Sequence, residues 1–277
     1  MRTARALWGA THPGPAVVVT VLALALGLAG GLEPGRIAVL VAAVFAGQLS
    51  VGLSNDALDL FRDAAVGRAD KPLVRGEVSR RTAWVVAFSS VVVALVLSAV
   101  LGGGMLLAHA IALASAWSYN VLLKATPLSI VPFLVSFGIF PSLASLSAAE
   151  PVLAAPWASV AGAALGAAVH LTNVLPDLED DRRTGIRGLP HRLGPHISVL
   201  IAVLGIDAAA VAVLVGSGTP GPLAWVFFVA VLGLGAGVLV RMRMGGPDRV
   251  GFRLVMTAAL VLAAQLVVAS AGLTSPA

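Results

Sequence analysis

Cysteine is absent from the 277 residues. That excludes disulfides, thiolate nucleophiles and thiolate metal sites, and leaves the redox compartment open. Charge is scarce too: Asp, Glu, Lys and Arg make up 11% of the chain against 58% hydrophobic residues. A chain of this composition, with a mean hydropathy of +0.98, carries more apolar surface than a soluble domain can hide, so lipid is its main solvent. Aromatic residues are few, at 5%, with a single tyrosine. Linkers and low-complexity tracts are missing, and residues 1–277 read as one membrane domain. Acidic residues number only thirteen, yet nine of them fall between Asp56 and Glu77 or between Asp177 and Asp181.

Runs of low charge match the length needed to cross a hydrocarbon core of about 30 Å. The sequence predicts nine all-α spans, at roughly 15–32, 37–54, 82–101, 104–122, 127–147, 154–174, 197–216, 221–240 and 252–273. Arg2 and Arg5 precede an apolar stretch too long for a signal-peptide core and without a convincing cleavage site, so it reads as a retained first span. With the N-terminus inside, seventeen of the eighteen basic residues lie on the cytoplasmic side and Arg36 alone lies opposite. The positive-inside rule then predicts a cytoplasmic N-terminus and an external C-terminus, and the chain reads as an integral protein of a bacterial plasma membrane. A pI near 10.9 needs no nucleic-acid partner, because orientation and anionic membrane lipid account for the basic loops.

The acidic residues belong to a repeat. The pattern N-x3-D-x3-D-x3-G-x4-P-x3-G occurs as Asn55, Asp59, Asp63, Gly67, Pro72 and Gly76, and 118 residues later as Asn173, Asp177, Asp181, Gly185, Pro190 and Gly194. Both copies start at the cytoplasmic end of a span, four spans apart. The repeat is therefore parallel, with spans one to four and five to eight as halves, span nine appended, and two acidic helix ends facing a central cavity. At about 100° per residue, Asp56, Asp59 and Asp63 share one helical face and Asn173, Asp177 and Asp181 another. Gln48 projects with the first set, deeper in the membrane; Asp180 falls with the second, and Glu179 points away to solvent. Pro176 is expected to kink the second helix.

Crowded carboxylates repel one another and call for a cation. Hard oxygen ligands without cysteine suit Mg²⁺, which prefers carboxylates together with a substrate's phosphate oxygens. Lys71, Arg68, Arg75, Arg182 and Arg183 can neutralise remaining phosphate charge, or else serve as solvated topology signals.

The residues quoted carry a resemblance. N-D-A-L-D-L-F-R-D from Asn55, K-P-L-V-R-G-E-V-S from Lys71, N-V-L-P-D-L-E-D-D-R-R-T-G from Asn173 and Y-N-V-L-L-K from Tyr119 to Lys124 resemble the motifs of the UbiA-type intramembrane prenyltransferases. The resemblance implies that Asn55, Asp56, Asp59, Asp63, Asn173, Asp177 and Asp181 hold two Mg²⁺ ions bridging a prenyl diphosphate. Asp59, Asp63, Asp177 and Asp181 would then be catalytic, with Lys71 and Lys124 as charge partners, Arg68, Arg75, Arg183 and Tyr119 beside the diphosphate, and Gln48, His170 and Asn173 in the pocket. Two positions depart from the family pattern: Gly188 stands where a threonine is common, and Lys71 where many members have arginine.

The implied activity is transfer of an isoprenoid group to an aromatic or other small lipophilic acceptor. A terpene cyclase of the same superfamily and a non-enzymatic transporter are the alternatives. The low aromatic content favours transfer over cyclisation, since few rings are available to cradle a migrating cation. Carboxylates at one membrane face rather than at the midplane disfavour transport. Asp207, mid-span, needs a partner or a proton, with His109 and His170 as candidates. Phe133, Phe137 and Phe140 share one face of span five and either line a prenyl-tail channel or pack the helices.

Overall fold

The computed structural model describes residues 2–175, 178–245 and 249–270, and these are all-helical, with no strand among them. The chain opens with α1 (Arg2–Ala10) and α2 (Pro13–Ala29), bent by 73° at Thr11–His12. Pro13 cannot donate to a preceding turn, and His12 takes a left-handed φ of 55°, so one helix ends where the other begins. Helix α3 (Pro34–Ala65) follows. At 32 residues it is about 48 Å long, more than a bilayer core needs, so its last turns carry Asn55–Asp63 beyond the apolar layer.

Helix α4 (Arg80–Leu101) starts on Ser79, whose hydroxyl accepts from the Thr82 amide, and Gly102 alone separates it from α5 (Gly103–Val121). Two short 3₁₀ turns lead into α6 (Val131–Ser145) and then α7 (Pro156–Asn173). A short α8 (Leu178–Arg183) precedes α9 (Leu189–Gly216), kinked at Gly194–Pro195, and α10 (Pro222–Gly245) and α11 (Arg249–Ser270) complete the chain.

Among the described residues six helices are long and apolar enough to cross a membrane, or seven if the bent α1–α2 pair counts as one span. That is fewer than the nine predicted. Helices nonetheless occupy the remaining predicted positions: α2 is only 17 residues long, while α5 carries His109, Ser115, Ser118, Tyr119 and Asn120, and α7 carries His170, Thr172 and Asn173. Several of these polar side chains turn inward to a cavity, which lowers the apolar character of their helices.

The repeat is visible in the backbone. Shifted by 118 residues, α2 falls on α6, α3 on α7 plus α8, α4 on α9 and α5 on α10, with α11 left over. Equivalent pairs pack together, α2 on α3 as α6 on α7, and α3 on α4 as α7 on α9. The motif glycines also match: φ is 73° at Gly67 and 84° at Gly185, then 71° at Gly76 and 77° at Gly194. Only glycine adopts these left-handed angles freely, so both loops turn the same way for the same reason.

Arg36, the one basic residue that the sequence places opposite the other seventeen, closes the far end of the bundle. Its Nη1 donates to the carbonyls of Ser147 at 2.9 Å and Ala148 at 3.4 Å, and to that of Leu101 at 3.5 Å. These oxygens end α4 and follow α6, where a cation complements the helix dipoles. Arg36→Met is expected to cost about 1–2 kcal/mol, the scale of a lost charged hydrogen bond at a half-buried site. Thermal unfolding in detergent checks this, and an unchanged midpoint would refute the brace.

Candidate functional site

A cavity of about 440 Å³ opens between the two halves and collects residues from α2, α3, α5, α6, α7, α8 and α9. Its polar wall includes Asn55, Asp59, Arg62, Lys124, Asn173, Asp181 and His191, with Gln48, Tyr119 and His170 also lining it. Phe133, Phe137 and Phe140 line the same space along α6, with neighbouring ring centroids 6.5 Å apart. Thus the three phenylalanines serve the cavity rather than packing alone.

The first repeat divides its carboxylates. Asp59 faces the cavity, 6% exposed, and is held by Arg62 one turn on and by Lys124 from the 3₁₀ turn after α5. Burial pushes the Lys124 ammonium below its ordinary pKa, against the pull of Asp59. Asp56 points elsewhere: His12 Nε2 lies 2.9 Å and Lys71 Nζ 2.5 Å from its Oδ1, while its Oδ2 is buried with no hydrogen-bond partner. Asp63 is buried as well, and neither it nor Asp56 is among the cavity-lining residues.

The arginines expected near a phosphate build the loop instead. Arg68 forms a two-pronged pair with Asp70, both bonds 2.9 Å, which draws the Asp70 carboxyl down to about 2. Arg75 grips Glu77 and donates to the carbonyls of Ala69 and Asp70. Arg183 is exposed on α8.

In the second repeat α7 stops at Asn173, and the chain resumes helical form at Leu178. Pro176 and Asp177 lie outside the described residues. Asp181 lines the cavity with its Oδ2 3.3 Å from His191 Nε2. The two repeats meet at Gly188, where an added Cβ would stand 2.6 Å from the Lys124 carbonyl oxygen and 2.9 Å from Ser129 Oγ. Ser129 Oγ accepts from the Leu189 amide at 2.8 Å and bonds His170 Nε2 at 2.9 Å. The departure at Gly188 is therefore a requirement of close approach: this junction seats Lys124 against the second repeat.

His12, Asn120 and His191 also line the cavity and escaped the sequence reading, as did the part that Arg62 plays beside Asp59. Arg62 had a signal, its i,i+3 spacing from Asp59. His191, next to the repeated Pro190, had a weak one, and His12, 44 residues from Asp56, had none. Asp207 does not meet the histidines suggested for it. His109 bonds Ser98 and His170 bonds Ser129, while Asp207 packs against Gly235 on α10 with one oxygen unpartnered.

Among the described residues no three His, Asp or Glu side chains converge on a point that could hold an ion. What the site offers is a set of hard oxygens around one space: Asn55 and Asp59 from one repeat, Asn173 and Asp181 from the other. The orphaned Oδ2 of Asp56 adds an unmet acceptor one turn away. This donor chemistry fits Mg²⁺, and the cations now on Asp59 fit a polyanion.

The UbiA prenyltransferase family matches residues 16–257. A 4-hydroxybenzoate octaprenyltransferase from Enterobacter sp. (strain 638) is 31% identical over 207 residues, 74% of this chain and 71% of that one. The apo structure of a UbiA homologue from Aeropyrum pernix K1 superposes with a TM-score of 0.74 at 21% identity, over 92% of this chain and 98% of that one. A UbiA homologue from Archaeoglobus fulgidus bound to GPP and Mg²⁺ gives 0.73 at 16% identity, over 98% of this chain and all of the other.

Proposed function

This chain belongs to the UbiA prenyltransferase family and is a membrane-embedded prenyltransferase, and from that premise we propose that it moves an isoprenoid group from a prenyl diphosphate to an aromatic or other small lipophilic acceptor in a Mg²⁺-dependent reaction. The observation that carries the reading is the cavity itself: oxygen ligands of both repeats and Lys124 line the same space as a phenylalanine wall. The diphosphate-bound archaeal relative and the hydroxybenzoate-named enterobacterial relatives support it.

Asn55, Asp59, Asn173 and Asp181 would hold the metal, joined by Asp63 and Asp177 of the repeated motif. When bound, Mg²⁺ supplies Lewis-acid stabilisation of the departing diphosphate. Lys124 and Arg62, carried on Asp59, are placed to neutralise the same charge, and Lys71, held by Asp56, forms a second reserve of it. Phe133, Phe137 and Phe140 give the prenyl tail an apolar slot and keep water from the allylic carbon. Purified protein given farnesyl diphosphate, Mg²⁺ and a mixture of aromatic acceptors should form a prenylated product, and EDTA should abolish it. Diphosphate consumption to cyclic hydrocarbon without any acceptor would favour the cyclase instead.

The membrane arrangement we propose is nine spans in a bacterial plasma membrane, N-terminus cytoplasmic and C-terminus external, supported by the basic-residue asymmetry and by the helices at all nine positions. Reporter fusions after Ala277 and inside the Arg182–Arg192 loop should land on opposite sides. Finding both in the cytoplasm would refute the odd span count.

A further inference from the structure

Among the polar groups that line the cavity, His109 is one that the diphosphate chemistry leaves unused. His109 on α5 is 3% exposed, and its ring lines the cavity. Its neighbours decide its tautomer. Ser98 Oγ lies 2.7 Å from the Ala94 carbonyl oxygen and 2.7 Å from His109 Nδ1. Two oxygens with no proton between them would repel at that distance, so the one hydroxyl proton of Ser98 points to the carbonyl. His109 Nδ1 must then carry the ring proton and donate it to Ser98 Oγ.

Nε2 is left as a bare lone pair. It lies beside α3, where a Cβ on Gly47 would stand only 2.9 Å away, so glycine at 47 is what lets the ring pack this closely against the helix while it lines the cavity. Among the described residues no group donates to it. His170 Nδ1 also lacks a partner, but that atom is sealed from solvent, whereas His109 Nε2 is not. Along α3, Gly47 lies eight residues inward of Asn55, about 12 Å at the helical rise. That depth spans an allylic carbon below the diphosphate and one aromatic ring beneath it.

We propose that His109 Nε2 is the hydrogen-bond acceptor that selects and orients the hydroxyl of the prenyl acceptor. The acceptor is then a hydroxyarene seated with its hydroxyl toward the membrane interior and its reacting carbon toward the diphosphate. The inference rests on the transfer reading above and names its second substrate. A carboxylate cannot take this place, having no proton to give a bare nitrogen, and neither can an ether.

Binding of two matched probes, butyl 4-hydroxybenzoate and butyl 4-methoxybenzoate, to the full-length protein in detergent tests the assignment without requiring turnover. The wild type should prefer the phenol at least tenfold, and His109→Leu should bind the two equally. His109→Gln, whose amide oxygen reaches the Nε2 position, should keep the preference. Since His109→Leu alters a buried position, Ser98→Ala accompanies it: the ring stays, its proton is no longer held on Nδ1, and the preference should narrow. Equal binding of the probes to wild type, or an undiminished preference in His109→Leu and Ser98→Ala, overturns the proposal. Mg²⁺-dependent consumption of farnesyl diphosphate by the wild type is measured separately. Consumption absent from the wild type would sink the transfer reading while the probe preference still judges the subsite.

Discussion

Asp59→Asn and Asp181→Asn should each lower Mg²⁺-dependent consumption of prenyl diphosphate by about a hundred- to a thousandfold, the scale of losing one preorganised charge-stabilising contact. Both carboxylates line the cavity, one from each repeat. From the sequence, such substitutions look benign for folding, because removing one of several crowded carboxylates relieves repulsion. The structure reverses that expectation for Asp59, which sits between Lys124 and Arg62 and is crowded by cations instead. Neutralising it leaves a largely buried ammonium without its counter-charge, and breaking one partner of such a pair costs about 3–5 kcal/mol. The double variant Asp59→Asn/Lys124→Met removes both charges and should recover most of that stability but none of the activity. Unfolding midpoints and diphosphate release on the same preparations decide the matter. Near-normal release in both single variants would contradict a shared metal and diphosphate site.

Most of the architecture could be read from the chain because its causes are local. Apolar runs place the helices, and the Gly67/Gly185 and Gly76/Gly194 pairs place the turns, since left-handed backbone selects glycine wherever it occurs. What stayed hidden depends on distant segments. Nothing in T-H-P says that His12 will reach Asp56 across 44 residues, and nothing in the Arg68 and Arg75 spacing says that Asp70 and Glu77 will claim them before a phosphate can. A face calculation on an isolated helix put Asp56 with Asp59. Packing separated them, because Lys71 returns from the following loop to one and Lys124 arrives from α5 to the other.

Gly188→Thr restores the residue that is common in the family this chain resembles, and it should be among the most damaging substitutions in the protein. A Cβ at this position would lie 2.6 Å from the Lys124 carbonyl oxygen, too close for any side chain against backbone, and 2.9 Å from the Ser129 hydroxyl oxygen. The junction must then open. Opening it breaks the bond from the Leu189 amide to Ser129 and strains that from Ser129 to His170, both inside the fold. Overpacking and one unsatisfied buried polar group each cost about 1–3 kcal/mol, so a loss of about 2–5 kcal/mol is expected. Function should suffer beyond stability, because the same junction seats Lys124 on Asp59. Prenyl diphosphate KM should rise about tenfold or more even at temperatures where the variant stays folded, the effect of a misplaced charge partner. Gly188→Ala, with the same Cβ and no further atoms, should show most of both effects. A Gly188→Thr protein with wild-type unfolding and wild-type KM would mean that the Lys124 turn adapts freely, and that its close contact with the second repeat does nothing to position the lysine.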